Sequence, residues 1–175
     1  MKTWIKCLAV TALLAGSVQA QTVQVGFSPE GSARALVLDL INHAHKSIKM
    51  MAYEFTAHDI VAALDSAADR GVSVQVIVDN RQNMHNPKAL HNIADAETHG
   101  IQMRVDKHYH IQHDKVIIAD GDAVETGSFN YSQTAETANS ENVVVLREMP
   151  DVTKQYQQHF SSRWALSEVL GGKNG

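Results

Sequence analysis

The sequence predicts a single α/β domain, a mixed β-sheet flanked by helices on both faces. Three observations predict it. Apolar stretches of strand character alternate with amphipathic stretches at helical spacing through the first hundred residues, the βαβ signature of parallel pairing. A second half richer in short strands, with Asp120-Gly121 between two of them, adds antiparallel hairpin pairing. Finally, 175 residues with 44% hydrophobic and 19% charged content fit one ordinary globular domain, without repeat, low-complexity tract or linker.

The chain opens with an address. Lys2 and Lys6 form a positive start, and Cys7 to Ala15 is an apolar run too short to cross a bilayer as a mature helix. Val18-Gln19-Ala20 has small residues where a cleavage site needs them. Residues 1–20 therefore read as a bacterial secretory signal peptide and residues 21–175 as the functional domain. The alternative is an N-terminal membrane anchor. A lipoprotein would need a cysteine where Ser17 stands. Cleavage implies a periplasmic or secreted protein with no membrane anchor. It removes the single cysteine, Cys7, leaving no disulfide and no cysteine-based zinc site. It also takes the net charge from −4 to −6, an acidic balance for a protein that would bind nucleic acid.

Thr22 to Phe27 is a short strand, and Ser32 is the expected N-cap of a helix whose buried face carries Leu36, Val37, Leu40, Ile41 and Ala44. Ser47 to Tyr53 reads as a buried strand. Thr56 with Asp59 resembles a capping box before Ile60, Val61, Leu64 and Ala68, and Gly71 ends that helix. Val72 to Val78 suits a central strand. Asp79 to Pro87 is polar and reads as a loop. Leu90, Ile93 and Ala94 mark another helix, stopped by Gly100. Ile101–Val105, Lys115–Ala119, Ala123–Thr126 and Asn142–Leu146 are strands. Pro150 opens a last helix on which Val152, Tyr156, Phe160 and Trp164 repeat every four residues.

The chemistry concentrates between His108 and Asn142. His113 and Lys115, two apart on an extended chain, share one face. An ammonium beside an imidazole suits an anionic substrate: the lysine holds a phosphate oxygen and its field keeps the histidine neutral and nucleophilic. Gly127-Ser128-Phe129-Asn130 supplies a tight backbone, a hydroxyl and an amide, all suited to phosphate oxygens. A His-x-Lys pair alone is usually an inert solvated surface. The fixed spacing of His113, Lys115, Asp120, Gly127, Ser128 and Asn130 is far more specific.

That spacing resembles the signature of the phospholipase D superfamily, and within it the small secreted bacterial endonucleases of the Nuc type. The FSPEGSA, KMMAYEFT and ENVVVL runs extend the resemblance along the mature chain. It implies a phospholipase D-like fold. Because the chain has one motif where larger members have two, it also implies a homodimer with a shared active site. His113 of one subunit would attack phosphorus and form a phosphohistidine, and the other subunit's His113 would protonate the leaving oxygen and then activate water. Lys115, Ser128 and Asn130 would bind the phosphate. Glu141 would orient and charge the catalytic imidazole, reaching across the dimer axis. Asp120 and Gly127 would be structural supports.

The resemblance implies no cofactor and no metal. His108, His110 and His113 lie close enough in sequence to suggest zinc or copper, but no acid or cysteine completes a site at motif spacing, and incidental surface binding is the plainer reading. His108, Tyr109 and His110 are the alternative lining of the cleft approach. Tyr53 and Phe55 are either cleft edge or core, and Arg81 is either a strand-backbone contact or a solvated loop charge. With no second motif, no membrane-docking segment and no appended recognition domain, the expected activity is non-specific endonucleolytic cleavage of DNA, single- and double-stranded, with RNA a further candidate substrate. Arg81, Lys88, Arg104, Lys107 and Lys115 would supply a local basic groove. The alternatives are a phospholipase D or other phosphodiesterase, and a non-catalytic nucleic-acid-binding protein.

Overall fold

A computed structural model describes residues 20–170, so residues 1–19 of the expected signal peptide lie outside the described residues. The elements follow in order: β1 (Thr22–Ser28), α1 (Ser32–Asn42), β2 (Ser47–Ala52), α2 (His58–Asp69), β3 (Ser73–Asp79), α3 (Asn80–Asn83), α4 (Pro87–Thr98), β4 (Gln102–Asp106), β5 (Lys115–Ala119), β6 (Ala123–Gly127), α5 (Gln133–Thr137), β7 (Glu141–Arg147), α6 (Pro150–Leu166) and β8 (Glu168–Val169). They form one eight-stranded sheet in the order β1-β7-β6-β5-β2-β3-β4-β8. β2, β3 and β4 run parallel because helical crossovers join them. β5, β6, β7 and β1 pair antiparallel.

Helices cover both faces, as expected. Met50, Ala52, Val76, Val78 and Ile117 pack beneath Leu40, Ile60, Leu64 and Ile93 of α1, α2 and α4. Their neighbours Met51, Ile77, Val116, Ile118 and Val124 point the other way, under Tyr156, Phe160 and Trp164 of α6. A strand buried on both faces must be apolar at every position, which explains the unbroken VIIA of β5. Among the described residues no helix is long and apolar enough to cross a membrane.

Several local expectations need correction. Gly31, not Ser32, is the N-cap of α1; Ser32 is the first helical residue, and its hydroxyl serves Phe27, accepting from its N–H at 2.8 Å and donating to its carbonyl. The capping box at Thr56 does not form. Ala57 is the N-cap of α2, Asp59 turns to Arg34, and the Thr56 and Ala57 amides donate to the Tyr131 carbonyl. Within the polar stretch Asp79–Pro87, Asp79 caps the short helix α3 by accepting from Gln82 N–H at 2.8 Å. On α4 the buried face is Ala89, Asn92, Ile93 and Ala96, with Leu90 43% exposed and Ala94 exposed. Asn92 is turned inward to donate to the Phe55 carbonyl, and a buried asparagine hides the face from hydrophobic periodicity. α5 and β8 were not expected; both are too short to leave a periodic signal.

Asp120 stands at the turn after β5. With Asp120 and Gly121 at φ 54° and 81°, the chain turns from β5 to β6, and the Asp120 carboxylate accepts from the backbone N–H groups of His45, Lys46 and Ser47. Burial pushes its pKa up, but those three hydrogen bonds outweigh it and hold it below the usual aspartate value. Asp120→Ala is expected to cost about 1–3 kcal/mol in urea unfolding at neutral pH. Because the folded-state pKa is depressed, the wild-type advantage is present above the unfolded value and fades as pH falls through the folded one. A variant as stable as wild type at pH 7 would remove this role.

Candidate active site

The register of the sheet brings the motif residues to one end of the central strands. Lys115 starts β5 opposite Ala52, so Tyr53 emerges beside it; β6 ends at Gly127, and β7 begins at Glu141 opposite Ser28 of β1. Residues far apart in sequence thus meet where strands end, on rigid elements. The loop before β5 is tied down from below. Asp79, 1% exposed, accepts from Gln112 N–H at 2.8 Å, and Asp106 accepts from the amides of His108 and Tyr109.

His113 is exposed, its ring 4.6 Å from that of Tyr53 in an edge-on arrangement. Lys115 is buried; its Nζ donates to the His113 carbonyl at 2.8 Å and lies 4.8 Å over the Tyr53 ring. Burial pulls the Lys115 pKa down, opposed by the carboxylates of Asp114, Glu141 and Glu54. The pair is therefore a reachable imidazole beside a cation held by the His113 carbonyl and the Tyr53 ring. Tyr53 lines this site, whereas Phe55 is fully buried core.

Ser128 and Glu141 are joined directly: Ser128 Oγ donates to Glu141 Oε2 at 2.5 Å and accepts from the Asn142 N–H at 3.1 Å. Asn139 Nδ2 donates to Glu141 Oε1 at 3.0 Å. Glu141 makes no hydrogen bond to His113 within the chain; its acceptors serve Ser128 and Asn139. The Asn130 side-chain oxygen is buried without a hydrogen-bond partner. Phe129 and Tyr131, both fully buried, anchor the turn that carries Ser128 and Asn130. Below it, Tyr131 donates its hydroxyl to the buried Glu125 at 2.7 Å.

Gly127 is needed for close approach rather than for an unusual φ. A Cβ there would stand 2.1 Å from the Asn142 carbonyl oxygen, a backbone atom that cannot swing aside. Gly127→Ala is expected to separate β6 from β7, lowering the thermal midpoint by about 5 °C or more and reducing activity with it, as over-packing against backbone costs roughly 1–3 kcal/mol. An unchanged melting curve would contradict the close approach.

The other sequence candidates disperse. His108 stacks edge-on with Tyr109, His110 lies 3.3 Å from Arg81, and His113 faces Tyr53. Among the described residues no group of three or more His, Cys, Asp or Glu side chains is placed to hold a metal ion. Of the basic residues assigned to a groove, Arg104 is not free. Its Nη1 donates to the carbonyls of Trp164 and Ser167 at 2.7 and 3.1 Å, and its guanidinium stacks on Trp164. Lys107 pairs with Glu168 at 2.6 Å. A cavity of about 980 Å³ includes Lys88, His58, His91 and Arg34 but none of the motif residues. A smaller one, about 310 Å³, opens at His113 and includes His159, whose Nε2 donates to Asp114 Oδ2 at 3.0 Å. Nothing in the sequence pattern signalled His159 or the Glu125–Tyr131 pair, since each depends on packing between distant elements.

Residues 37–164 match the family described as "Cardiolipin synthase, PLD-like domain". A phospholipase D of Rickettsia bellii is 36% identical over 143 residues, covering 82% of this chain and 69% of that protein. The chain belongs to the phospholipase D superfamily and is a phosphodiesterase of that class. Among solved structures, the phospholipase D family member Nuc from Salmonella typhimurium is similar with a TM-score of 0.84 and 47% identity, over 86% of this chain and 98% of that one. NucT from Helicobacter pylori, 23% identical, has the same fold with a TM-score of 0.79 over 86% of this chain and all of that one (100%).

Proposed function

We propose that this phosphodiesterase is a non-specific endonuclease that hydrolyses DNA, single- or double-stranded, with RNA a second nucleic-acid substrate, at a site shared by two copies of the chain. The observation that carries the reading is the gathering of exposed His113, anchored Lys115 and the Ser128–Glu141 pair at one end of β5, β6 and β7, in a chain 47% identical to Nuc. His113 uses an imidazole nitrogen to attack phosphorus, and the bond from phosphorus to the leaving oxygen breaks as the partner subunit's His113 gives that oxygen a proton. The partner imidazole then takes a proton from water, the water oxygen bonds to phosphorus, and the phosphohistidine bond breaks. The net change is one diester and one water to a monoester and an alcohol. Lys115, Ser128 and Asn130 hold the phosphate oxygens and offset the charge of the transition state. Glu141, already bonded to Ser128, orients donors around the phosphate and serves the imidazole of the facing subunit.

Self-association is supported by a bare apolar stripe. Val23, Val25 and Phe27 on β1 are 55%, 53% and 53% exposed, and β7 sets Val144 and Leu146 beside the first two. Phe27 pairs with Asn142, next to Ser128, so a second copy covering the stripe would lie beside the site. Light scattering on the mature protein is expected to give twice the mass of one chain; an active monomer would refute the shared site. The leader sends the enzyme across the inner membrane, to the periplasm or beyond.

The test of substrate is direct. Plasmid DNA should be nicked and cut in excess EDTA, and phosphatidylcholine vesicles should yield little choline in parallel. Cleavage that stops with EDTA would sink the metal-free mechanism. The phospholipase reading is kept as the second because the relative from Rickettsia bellii carries that name; choline release without DNA cleavage would establish it instead.

A further inference from the structure

The small pocket at His113 has its second wall on α6, outside the motif. It includes Asp114, Tyr109, His159 and Arg163. Arg163 is held but hardly used. Its guanidinium lies 4.8 Å over the Tyr109 ring and its Nη1 donates to Ser162 Oγ at 2.9 Å. Among the described residues it has no carboxylate partner. Its counterparts differ: Arg104 gives its donors to two carbonyls, Arg34 pairs with Asp59, and Arg147 pairs with Asp39. An arginine oriented by an aromatic face, with most of its five N–H donors free, is a phosphate binder in waiting.

The acid in the pocket is engaged by the pocket's own donors. Asp114 Oδ2 is met by His159 Nε2 at 3.0 Å and by Gln112 Nε2 at 3.1 Å. That pair also ties α6 to the His113–Lys115 segment, fixing where Arg163 stands relative to the imidazole. We infer that this pocket is a second phosphate subsite, in which Arg163 holds the phosphodiester next to the scissile one and His159, through Asp114, fixes the wall that carries it. The substrate class it selects is a polynucleotide strand, whose neighbouring phosphates recur along the chain, over an isolated phosphodiester. The inference rests on the nuclease reading and deepens it.

The experiment compares bis(p-nitrophenyl) phosphate, which has one diester, with a single-stranded oligonucleotide. Arg163→Ala should lose kcat/KM on the oligonucleotide at least about tenfold more than on the small diester, mostly in KM, as loss of a charge-assisted contact predicts. The dependence of log KM on log salt should become shallower by about one counterion. Arg163→Lys should keep the salt slope while losing part of the affinity. If the alanine variant fails to fold, Arg163→Gln gives the same comparison. Equal losses on both substrates, or no loss on either, would overturn the subsite while leaving the nuclease reading intact. A wild-type enzyme that hydrolyses the small diester but no oligonucleotide would overturn the nuclease reading and the subsite together. A preferential loss on phosphatidylcholine vesicles would show that the pocket serves a lipid.

Discussion

His113→Ala is expected to reduce DNA cleavage by about a thousandfold or more, because at the proposed shared site one substitution would remove both the nucleophile and the general acid. Stability should barely change: the ring is exposed and among the described residues makes no hydrogen bond, meeting the ring of Tyr53 edge-on. The loss must therefore appear in turnover with an unshifted thermal midpoint. Mixing the variant with active wild type sharpens the test. A heterodimer holding one His113 keeps one role and loses the other, so its activity should sit with the variant, not halfway. A variant retaining even a tenth of wild-type activity, or mixed dimers at half activity, would take His113 out of the shared chemistry.

The second large effect is on stability and its pH dependence. Glu125 on β6 is fully buried; burial raises its pKa to about 8, against the pull of the Tyr131 hydrogen bond, and its other oxygen has no partner. Between the unfolded value near 4.5 and about 8, the folded state holds a proton that the unfolded state has released. Stability therefore falls as pH rises across that window, by up to about 1 kcal/mol per pH unit from this group, and the loss levels off above it. Glu125→Gln keeps the shape and an acceptor for Tyr131 but cannot ionise. Urea unfolding from pH 5 to 8.5 should show wild type declining relative to the variant, with the variant the more stable at the alkaline end. Parallel profiles would show that Glu125 does not titrate in this window. The effect reaches the site, because Tyr131 follows Asn130 and its carbonyl receives the amides of Thr56 and Ala57.

Legibility followed the range of the interactions. β5 and its hairpin with β6 could be read residue by residue, because a doubly buried strand must be apolar throughout and Asp120-Gly121 marks the turn. The same locality made the candidate site legible: His113, Lys115, Asp120, Gly127, Ser128 and Asn130 sit on one hairpin, so their spacing in sequence is also their spacing along the fold. α4 shows the opposite case. Asn92 faces inward to cap a carbonyl of a distant segment, so the apolar spacing of Leu90 and Ala94 does not mark the buried face. Arg104 looked like a groove cation until α6 returned beside β4 and took its donors.

The order of apolar runs, the two-sided burial they demand and the spacing of the motif residues along the β5–β6 hairpin were determined by the chain itself, since each depends on neighbours a few residues away. Which cations remain free, where Glu125 hides, how Tyr53 and His159 approach His113, and which face of β1 stays bare were decided only by tertiary packing. Those outcomes turn on burial and on competition for hydrogen-bond partners between segments scores of residues apart, and no local pattern records who wins that competition.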